Sequence, residues 1–158
     1  MIAFDFDYYK PEAITEAIDT YKALSKENKK VIYFAGGTEI VNQGRLNHKQ
    51  FDAVIDIKGI PQCNALEFKK DKLIIGAAVS LTKIKESKLY PLLSTVCRRI
   101  ADHTSRNMIT IGGNVCGDIA YREAVLPLLL ADSRVIIADD KEVKADPLKK
   151  VFNKEMAL

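Results

Sequence analysis

The 158-residue sequence lacks long apolar runs and has few cysteines. No run approaches the roughly 20 apolar residues that a membrane-spanning helix needs. The three cysteines, Cys63, Cys97 and Cys116, are odd in number and widely spaced, which favours reduced cytoplasmic thiols over a disulfide framework. This spacing also lacks the clustering of a zinc or iron–sulfur centre, so any such centre must sit on another chain. The acidic Asp5 near the start argues against a secretory signal.

An excess of charge of one sign is missing as well. The 24 basic and 21 acidic side chains give a formal charge of +3, and the lysines are scattered, so composition makes no case for nucleic-acid binding. Neither Gly-x-x-x-x-Gly-Lys-Ser/Thr nor Gly-x-Gly-x-x-Gly occurs, which argues against a nucleotide hydrolase and a Rossmann dehydrogenase. The two histidines, His48 and His103, are interpreted as surface or helix-end residues. We therefore assign no catalytic residue and no metal ligand.

The spacing of the apolar residues predicts a mixture of helices and strands. Pro11 suits the first position of a helix, and the apolar stripe after it predicts a helix over 11–26. The other predicted elements are strands over 31–35 and 53–57, a hairpin from 66–68 and 73–75, helices over 89–101 and 122–131, and strands over 134–138 and 142–144. Because these elements show no regular βαβ alternation, we predict an α+β fold. No finishing element is recognisable after Pro147, which indicates a chain cut short.

A glycine pair, Gly36-Gly37, directly follows the strand predicted over 31–35, which we expect to be buried. Consecutive glycines allow positive φ angles and place no Cβ between the backbone and a ligand. Successive N–H groups in such a turn can converge on an anion, and the Thr38 hydroxyl adds a donor. A pyrophosphate needs this chemistry, because its oxygens accept many hydrogen bonds. A plain tight turn is the alternative interpretation.

A second glycine pair, Gly112-Gly113, lies between Thr110 and Asn114. It offers the same chemistry as the first pair: a hydroxyl, two small residues and an amide that can donate and accept. Two such loops in one small domain favour a dinucleotide, since its long polar middle can be held from two sides. From the residues alone, the prediction stops at a nucleotide-binding domain.

Four motifs together resemble a known family. In chain order they are Ala35-Gly36-Gly37-Thr38-Glu39, Ile75-Gly76-Ala77, Ser105-Arg106-Asn107 and Thr110-Ile111-Gly112-Gly113-Asn114. Their order and spacing are similar to those of the FAD-binding subunit of molybdopterin dehydrogenases, the family of xanthine dehydrogenase and carbon monoxide dehydrogenase. The resemblance implies a two-lobed α+β FAD-binding fold of the vanillyl-alcohol oxidase and p-cresol methylhydroxylase type, with lobes at 1–57 and 58–158. It also implies a further C-terminal domain, which helps to cover the flavin ring, so we expect either that the chain is truncated or that this domain is supplied separately.

The resemblance further implies FAD contacts on both glycine loops. The first loop, which wraps the pyrophosphate in the family, supplies Tyr33, Phe34, Ala35, Gly36, Gly37, Thr38 and Glu39. The second loop supplies Thr110, Gly113, Asn114 and Cys116, the last through its backbone and without a redox role. Ile100 and Ala101, at the end of the preceding helix, correspond to family positions near the adenosine.

The segment after the second loop departs from the family pattern. Many relatives carry a Ser-Pro-x-Ser-Asp-like stretch there, whose Asp contacts the cofactor, whereas this chain has Ile119-Ala120-Tyr121-Arg122-Glu123. Glu123 can replace that Asp with a longer reach, although Arg122 stands where the family has Ser. The run from Arg122 to Pro127 resembles a bacterial branch associated with purine hydroxylases. An exposed ion pair at a helix start is the alternative interpretation.

The resemblance implies an electron relay in which this chain holds FAD. A molybdopterin-binding large subunit oxidises a heterocycle or aldehyde, and 2Fe-2S clusters on a small subunit pass electrons to FAD, which passes them to NAD or another acceptor. The cofactors carry the difficult chemistry, while the protein supplies position and electrostatics. Two alternatives stay open. One is a stand-alone flavin-dependent oxidoreductase, with Arg106, Tyr121 and Arg122 as its substrate-facing candidates, and the other is a non-enzymatic nucleotide-binding module.

Overall fold

The computed structural model describes residues 2–152, and the structural statements below concern this part of the chain. Its strands are β1 Asp7–Tyr9, β2 Val31–Phe34, β3 Ala53–Asp56, β4 Leu66–Lys69, β5 Lys72–Ile75, β6 Arg134–Ala138 and β7 Val143–Pro147. Its helices are α1 Ile14–Lys26, α2 Thr38–Arg45, α3 Leu81–Ser87, α4 Pro91–Arg99, α5 His103–Met108, α6 Ile111–Cys116, α7 Val125–Leu130 and α8 Leu148–Val151. Two short 3-10 helices, Ile57–Gly59 and Pro61–Asn64, follow β3. The end of the predicted second lobe, residues 153–158, lies outside the described residues.

Three parallel strands form the N-terminal sheet in the order β1-β3-β2. The central strand β3 is fully buried, as its apolar run of β-branched residues requires. Its register places Val54 opposite Tyr8 on one side and Ile32 on the other. The helix α1 contributes Ala17 to a small core cluster with Ile55. The sheet therefore fixes where the chain leaves β2 and β3, at one edge of the same layer.

This region corrects two sequence predictions. The elements β1, α1, β2, α2 and β3 do alternate regularly, because a short strand and a helix that the apolar pattern does not predict lie at β1 and α2. The apolar pattern of β1 is weak because Asp7 and Tyr8 are both exposed. The helix α2 begins at Thr38, inside the glycine motif that the sequence predicts as a loop. The strand β2 is not buried: it lies at an edge of the sheet, where Tyr33 is 45% exposed.

The helix α4 lies in the larger core. It is predicted over 89–101 and begins at Pro91, since proline suits the first turn of a helix. It buries Leu93 and Cys97 in a cluster that includes residues of α3 and α6. The chain leaves α4 through Ala101, whose φ is +47°.

Two antiparallel hairpins complete the described residues. The β4–β5 hairpin forms as predicted, around a turn in which Lys70 has a φ of +57°. The β6–β7 hairpin begins with Arg134 opposite Pro147, so β7 extends past the predicted strand at 142–144. The helix α7 is shorter than the prediction over 122–131. With a parallel sheet, two hairpins and packed helices, the predicted α+β class is confirmed.

Cys63, Cys97 and Cys116 are free thiols. Among residues 2–152, no helix is long and apolar enough to cross a membrane. No group of three or more metal-ligating side chains is assembled in this part of the chain either.

Candidate functional site

The first glycine loop connects β2 to α2 at the carboxyl end of the parallel sheet, which is where open α/β sheets bind ligands. Gly37 is the N-cap of α2 and has a left-handed φ of +73°. A Cβ on Gly37 would lie 2.3 Å from the ring of Phe34. The left-handed backbone conformation therefore favours glycine at this position, and a Cβ would also displace the Phe34 ring.

The backbone N–H groups of this loop have no protein acceptor within residues 2–152. Those of Gly36, Gly37, Thr38 and Glu39 donate no hydrogen bond there, and the first bond into α2 runs from the Val41 N–H to the Gly37 carbonyl at 2.9 Å. The positive end of the α2 dipole lies at the same place. Free donors and a favourable dipole make this loop suitable for an anion.

The two glycine loops meet through their backbones. A Cβ on Gly36 would lie 2.0 Å from the carbonyl oxygen of Met108 and 3.3 Å from the backbone nitrogen of Thr110. The segment that carries Met108 and Thr110 is itself fixed, because the Leu81 N–H donates to the Ile109 carbonyl at 2.9 Å. The structure thus brings together the two loops that the sequence singles out.

The second loop differs from the first in its backbone chemistry. Thr110 is the N-cap of α6, and its hydroxyl oxygen accepts from the Gly113 N–H at 3.2 Å. The Gly112 N–H donates to the Ala77 carbonyl and the Asn114 N–H to the Thr110 carbonyl, each at 2.9 Å. The prediction of equal chemistry in the two loops is therefore wrong for these N–H groups, because α6 capping and the contact with Ala77 already use them.

Two of the predicted contacts in the second loop are buried side chains. Thr110 is 3% exposed and Asn114 is 2% exposed. The Asn114 side-chain oxygen accepts from the Ala124 N–H at 3.1 Å. Asn114 therefore fixes the segment that follows the loop, whereas Gly113 and Cys116 remain exposed.

The predicted adenosine-side turn is held by Arg106. One guanidinium nitrogen, Nη1, donates to the carbonyl oxygens of Ile100 at 2.8 Å and Ala101 at 2.5 Å. Ile100 is buried in the core, while Ala101 is exposed. The sequence indicates Arg106 as part of the motif Ser105-Arg106-Asn107 and as a substrate-facing candidate, but it does not predict these contacts with the turn.

Glu39 connects the first loop to the end of α6. A Cβ on Gly117 would lie 2.9 Å from a carboxylate oxygen of Glu39. Burial and the neighbouring Asp118 carboxylate raise the pKa of Glu39, and Lys49 and Arg122 offset part of this rise. The site therefore contains a partly desolvated carboxylate that reaches Gly117, the residue after Cys116.

The segment with Arg122 and Glu123 forms no ion pair between these two residues in the described part of the chain. Arg122 donates to the Val115 carbonyl at 3.4 Å and lies 5.7 Å from the ring centroid of Phe152. Glu123 is exposed and lines a cleft of about 310 Å³. Arg122 thus contacts the backbone of α6, and Glu123 stays available for a ligand or partner.

Tyr33 lies beside the first loop and packs on Tyr21 of α1. The two rings stack with centroids 5.2 Å apart and planes 11° from parallel. Burial, with a smaller contribution from Tyr21, raises the pKa of Tyr33. The stack places a half-exposed aromatic face at the edge of the sheet where the loop begins.

Lys58 also contacts the first loop, although nothing in the sequence singles it out. Its ammonium donates to the Ala35 carbonyl at 2.7 Å and forms an ion pair with Asp56 at 2.8 Å. It lies 4.5 Å from the ring centroid of Phe34. Burial raises the pKa of Asp56, but hydrogen bonds from Lys58 and Tyr8 outweigh burial and hold this pKa below its ordinary value. The role of Lys58 beside this loop can be recognised only from the structure, because its contacts form when β2 and β3 are paired.

Comparison with known proteins gives a family and several relatives. The family model described as FAD binding domain in molybdopterin dehydrogenase matches residues 4–157. The xanthine dehydrogenase FAD-binding subunit of Escherichia coli O157:H7 is 26% identical over 151 residues, which are 92% of this chain and 50% of the relative. The carbon monoxide dehydrogenase medium chain of Hydrogenophaga pseudoflava is 29% identical over 119 residues, 73% of this chain and 40% of the relative.

Solved structures share the fold. Carbon monoxide dehydrogenase from Hydrogenophaga pseudoflava lacking the Mo-pyranopterin moiety has a TM-score of 0.89 at 23% identity, over 97% of this chain and 54% of that chain. Quinoline 2-oxidoreductase from Pseudomonas putida 86 has a TM-score of 0.83 at 20% identity, over 94% and 52%. The chain spans about half the length of these relatives. Because the family model covers nearly all of the sequence, the chain belongs to the family of FAD-binding domains in molybdopterin dehydrogenases.

Proposed function

We propose that the chain is the FAD-binding part of a molybdenum hydroxylase and that its first glycine loop binds the FAD pyrophosphate. The free N–H groups of Gly36, Gly37, Thr38 and Glu39 carry this proposal. A pyrophosphate accepts several hydrogen bonds, and backbone donors supply them without added bulk. The left-handed φ of Gly37 lets the backbone turn at this point, and a Cβ there would meet the Phe34 ring.

The second loop is proposed to complete the site without the N–H groups of Gly112, Gly113 and Asn114, which already donate within the protein. Gly113 and Cys116 are exposed and can face the cofactor, whereas Thr110 and Asn114 act by fixing α6 and the segment after it. The remaining proposed contacts lie at the first loop, at the adenosine-side turn after α4 and before α7. They are Tyr33, Phe34, Ala35, Ile100, Ala101 and Glu123. The exposure of Tyr33, Ala101 and Glu123 supports their part in this set.

The proposal includes partners for the chain. We expect a molybdopterin-binding large subunit, a small subunit with 2Fe-2S clusters, and NAD as the acceptor. FAD, when bound, supplies the redox chemistry. The residues of this chain bind and orient the cofactor, and none is proposed to be catalytic. The names of the relatives, which include xanthine dehydrogenase and carbon monoxide dehydrogenase, support this assignment.

The proposal also covers the two-lobed architecture, the cellular location and the substrate class of the whole enzyme. We expect the two-lobed architecture of the vanillyl-alcohol oxidase and p-cresol methylhydroxylase type, with lobes at 1–57 and 58–158. A parallel sheet within 7–56 and a separate core cluster from 79 onward support this division. The free thiols support a cytoplasmic location. The resemblance of the run from Arg122 to Pro127 favours a purine-type substrate for the whole enzyme.

A titration with FAD tests the proposed site. The protein should bind FAD saturably, and Gly37→Val should weaken binding by roughly tenfold or more, because valine is strained at positive φ and its side chain meets Phe34. Gly44→Ala is the matched control: Gly44 lies inside α2, and a Cβ there has its nearest neighbour at 3.5 Å. Absence of FAD binding by the protein and by its longer subunit would refute the proposal. Equal affinities for Gly37→Val and the control would refute the loop assignment.

A further inference from the structure

A buried carboxylate at the end of β3 organises three groups that the proposed cofactor contacts do not include. Asp56 is 2% exposed and accepts hydrogen bonds from the Tyr8 hydroxyl, from the Lys58 backbone N–H at 2.9 Å and from the Lys58 ammonium at 2.8 Å. These contacts tie β1, β3 and the first 3-10 helix together. A carboxylate this buried must be paired, since an unpaired buried charge is costly.

The ammonium of Lys58 reaches from Asp56 to the first glycine loop. It donates to the carbonyl of Ala35, the residue before the glycine pair, at 2.7 Å. It also lies 4.5 Å from the centroid of the Phe34 ring. That same ring is what a Cβ on Gly37 would meet at 2.3 Å. One charged group therefore contacts both the backbone and the aromatic ring around which the loop is folded.

The loop needs such an external support. Its N–H groups from Gly36 to Glu39 donate to no acceptor within residues 2–152, so no hydrogen bond from these groups holds the turn. Ordering a loop costs conformational entropy. If the loop is already ordered before the ligand binds, this entropy is not lost on binding, and the affinity is higher. The ammonium also offsets the partial negative charge of the Ala35 carbonyl, which would otherwise oppose an anion bound next to it.

We propose that Lys58 is a positioning residue that preorganises the first glycine loop for its anion, with Asp56 as its anchor. The part of the inference that concerns FAD rests on the proposed function, whereas the ordering of the loop concerns the protein without ligand. Lys58 acts through Ala35 and Phe34 and is not itself proposed to touch the cofactor.

The test compares Lys58→Met, Lys58→Arg and Lys69→Met with the wild type. Methionine keeps the length of the side chain and removes its charge, and arginine restores a cationic donor. Lys69 is the control because it also forms an ion pair, with Glu67 at 3.3 Å, but on the β4–β5 hairpin. Backbone order parameters of residues 36–39 are measured by ¹⁵N relaxation without ligand, and FAD affinity is measured by titration. Thermal unfolding shows that each variant is folded.

We expect the order parameters of this loop in Lys58→Met to fall from about 0.85 to below about 0.6. We also expect its FAD affinity to fall by roughly tenfold, while Lys58→Arg and Lys69→Met stay near the wild type. Unchanged order parameters in Lys58→Met would overturn the inference whether or not FAD binds. A mobile loop with unchanged FAD affinity would overturn the link between ordering and binding. If the wild type itself binds no FAD, the proposed function fails, and the relaxation data still decide whether Lys58 orders the loop.

Discussion

A side chain at Gly36 would clash with the backbone, whereas one at Gly44 would have room, so the same substitution should have opposite effects at the two positions. At Gly36, a Cβ would lie 2.0 Å from the Met108 carbonyl oxygen, a backbone atom that cannot rotate away. Gly36→Ala should therefore lower the free energy of unfolding by about 1–3 kcal/mol through overpacking. At Gly44, inside α2, the nearest atoms would be 3.5 Å away, so Gly44→Ala should raise stability by about 0.5–1 kcal/mol. Urea denaturation measures both changes. A stable Gly36→Ala variant would show that the two loops are not in backbone contact.

The Tyr8–Asp56 hydrogen bond predicts a pH effect at each end of the scale. The hydrogen bond from the Tyr8 hydroxyl to Asp56 is the main cause that raises the pKa of Tyr8 to about 12. The contribution of Tyr8 to stability is therefore present below about pH 10 and is lost as the pH rises toward 12. The pKa of Asp56 is lowered, so its contribution is present above about pH 4 and is lost as the pH falls further.

Ultraviolet titration of tyrosinate checks the alkaline part of this prediction, and Tyr8→Phe identifies the signal of Tyr8. Asp56→Asn should return the pKa of Tyr8 toward its ordinary value, because both the charge and the strong acceptor are removed. Asp52→Asn is the control on the same sheet: Asp52 is exposed and precedes β3. A Tyr8 signal that titrates normally in the wild type would contradict the hydrogen bond.

At the residue scale, the sequence predicts which glycines form the candidate loops, but not which side chains hold these loops in place. Gly37 is predictable because a glycine pair after a strand is a local pattern. Lys58 is not predictable, since its three partners, Asp56, Ala35 and Phe34, come together only when β2 and β3 pair in the observed register. Asn114 is predictable as a polar member of the motif, but its buried contact with Ala124 depends on how the chain returns after α6.

At the scale of elements, α6 and the segment after it depend on one buried side chain. Asn114→Ala removes the acceptor of the Ala124 N–H, and Ala124 is fully buried. A buried donor without a partner costs about 1–3 kcal/mol, so thermal unfolding should show a loss of this size. Amide exchange at Ala124 should accelerate in the variant. Asn107→Ala, at an exposed position on α5, is the control and should leave both measurements unchanged. Continued protection of the Ala124 amide would contradict this role of Asn114.

Elements with a long apolar pattern are predicted well, and short or capped ones are not. The helix predicted over 11–26 is present as α1, although it begins at Ile14 and not at Pro11, and the β4–β5 hairpin forms around the predicted polar turn. The strand β1 is absent from the predictions because it has only three residues, two of them exposed, and α2 is absent because its first residues belong to the glycine motif, which the sequence predicts as a loop. The predicted helix over 122–131 starts only at Val125, after the contacts of Arg122 and Ala124 with α6.

At the scale of the whole molecule, the site depends on distant parts of the chain that meet. The N-terminal sheet supplies the free N–H groups, and the later helices supply Met108 and Thr110 against Gly36. The family resemblance predicts that both loops contact FAD, but it does not predict this backbone contact between them. The sequence therefore predicts which loops form the site, and the structure shows that the first supplies open donors while the second uses most of its donors internally.

Ligands that share only part of FAD can locate the binding energy. At about a hundred times its dissociation constant, FAD should stabilise the protein by about 2.7 kcal/mol and raise its melting temperature by about 5–10 °C. ADP carries the pyrophosphate and adenosine, so it should produce much of this shift, because the free N–H groups of Gly36 and Gly37 bind the pyrophosphate in our proposal. FMN carries the flavin with a single phosphate and should produce little. Gly37→Val should abolish the ADP shift. A shift with FMN that equals the shift with FAD would place the binding energy on the flavin ring and contradict the assignment of the first glycine loop.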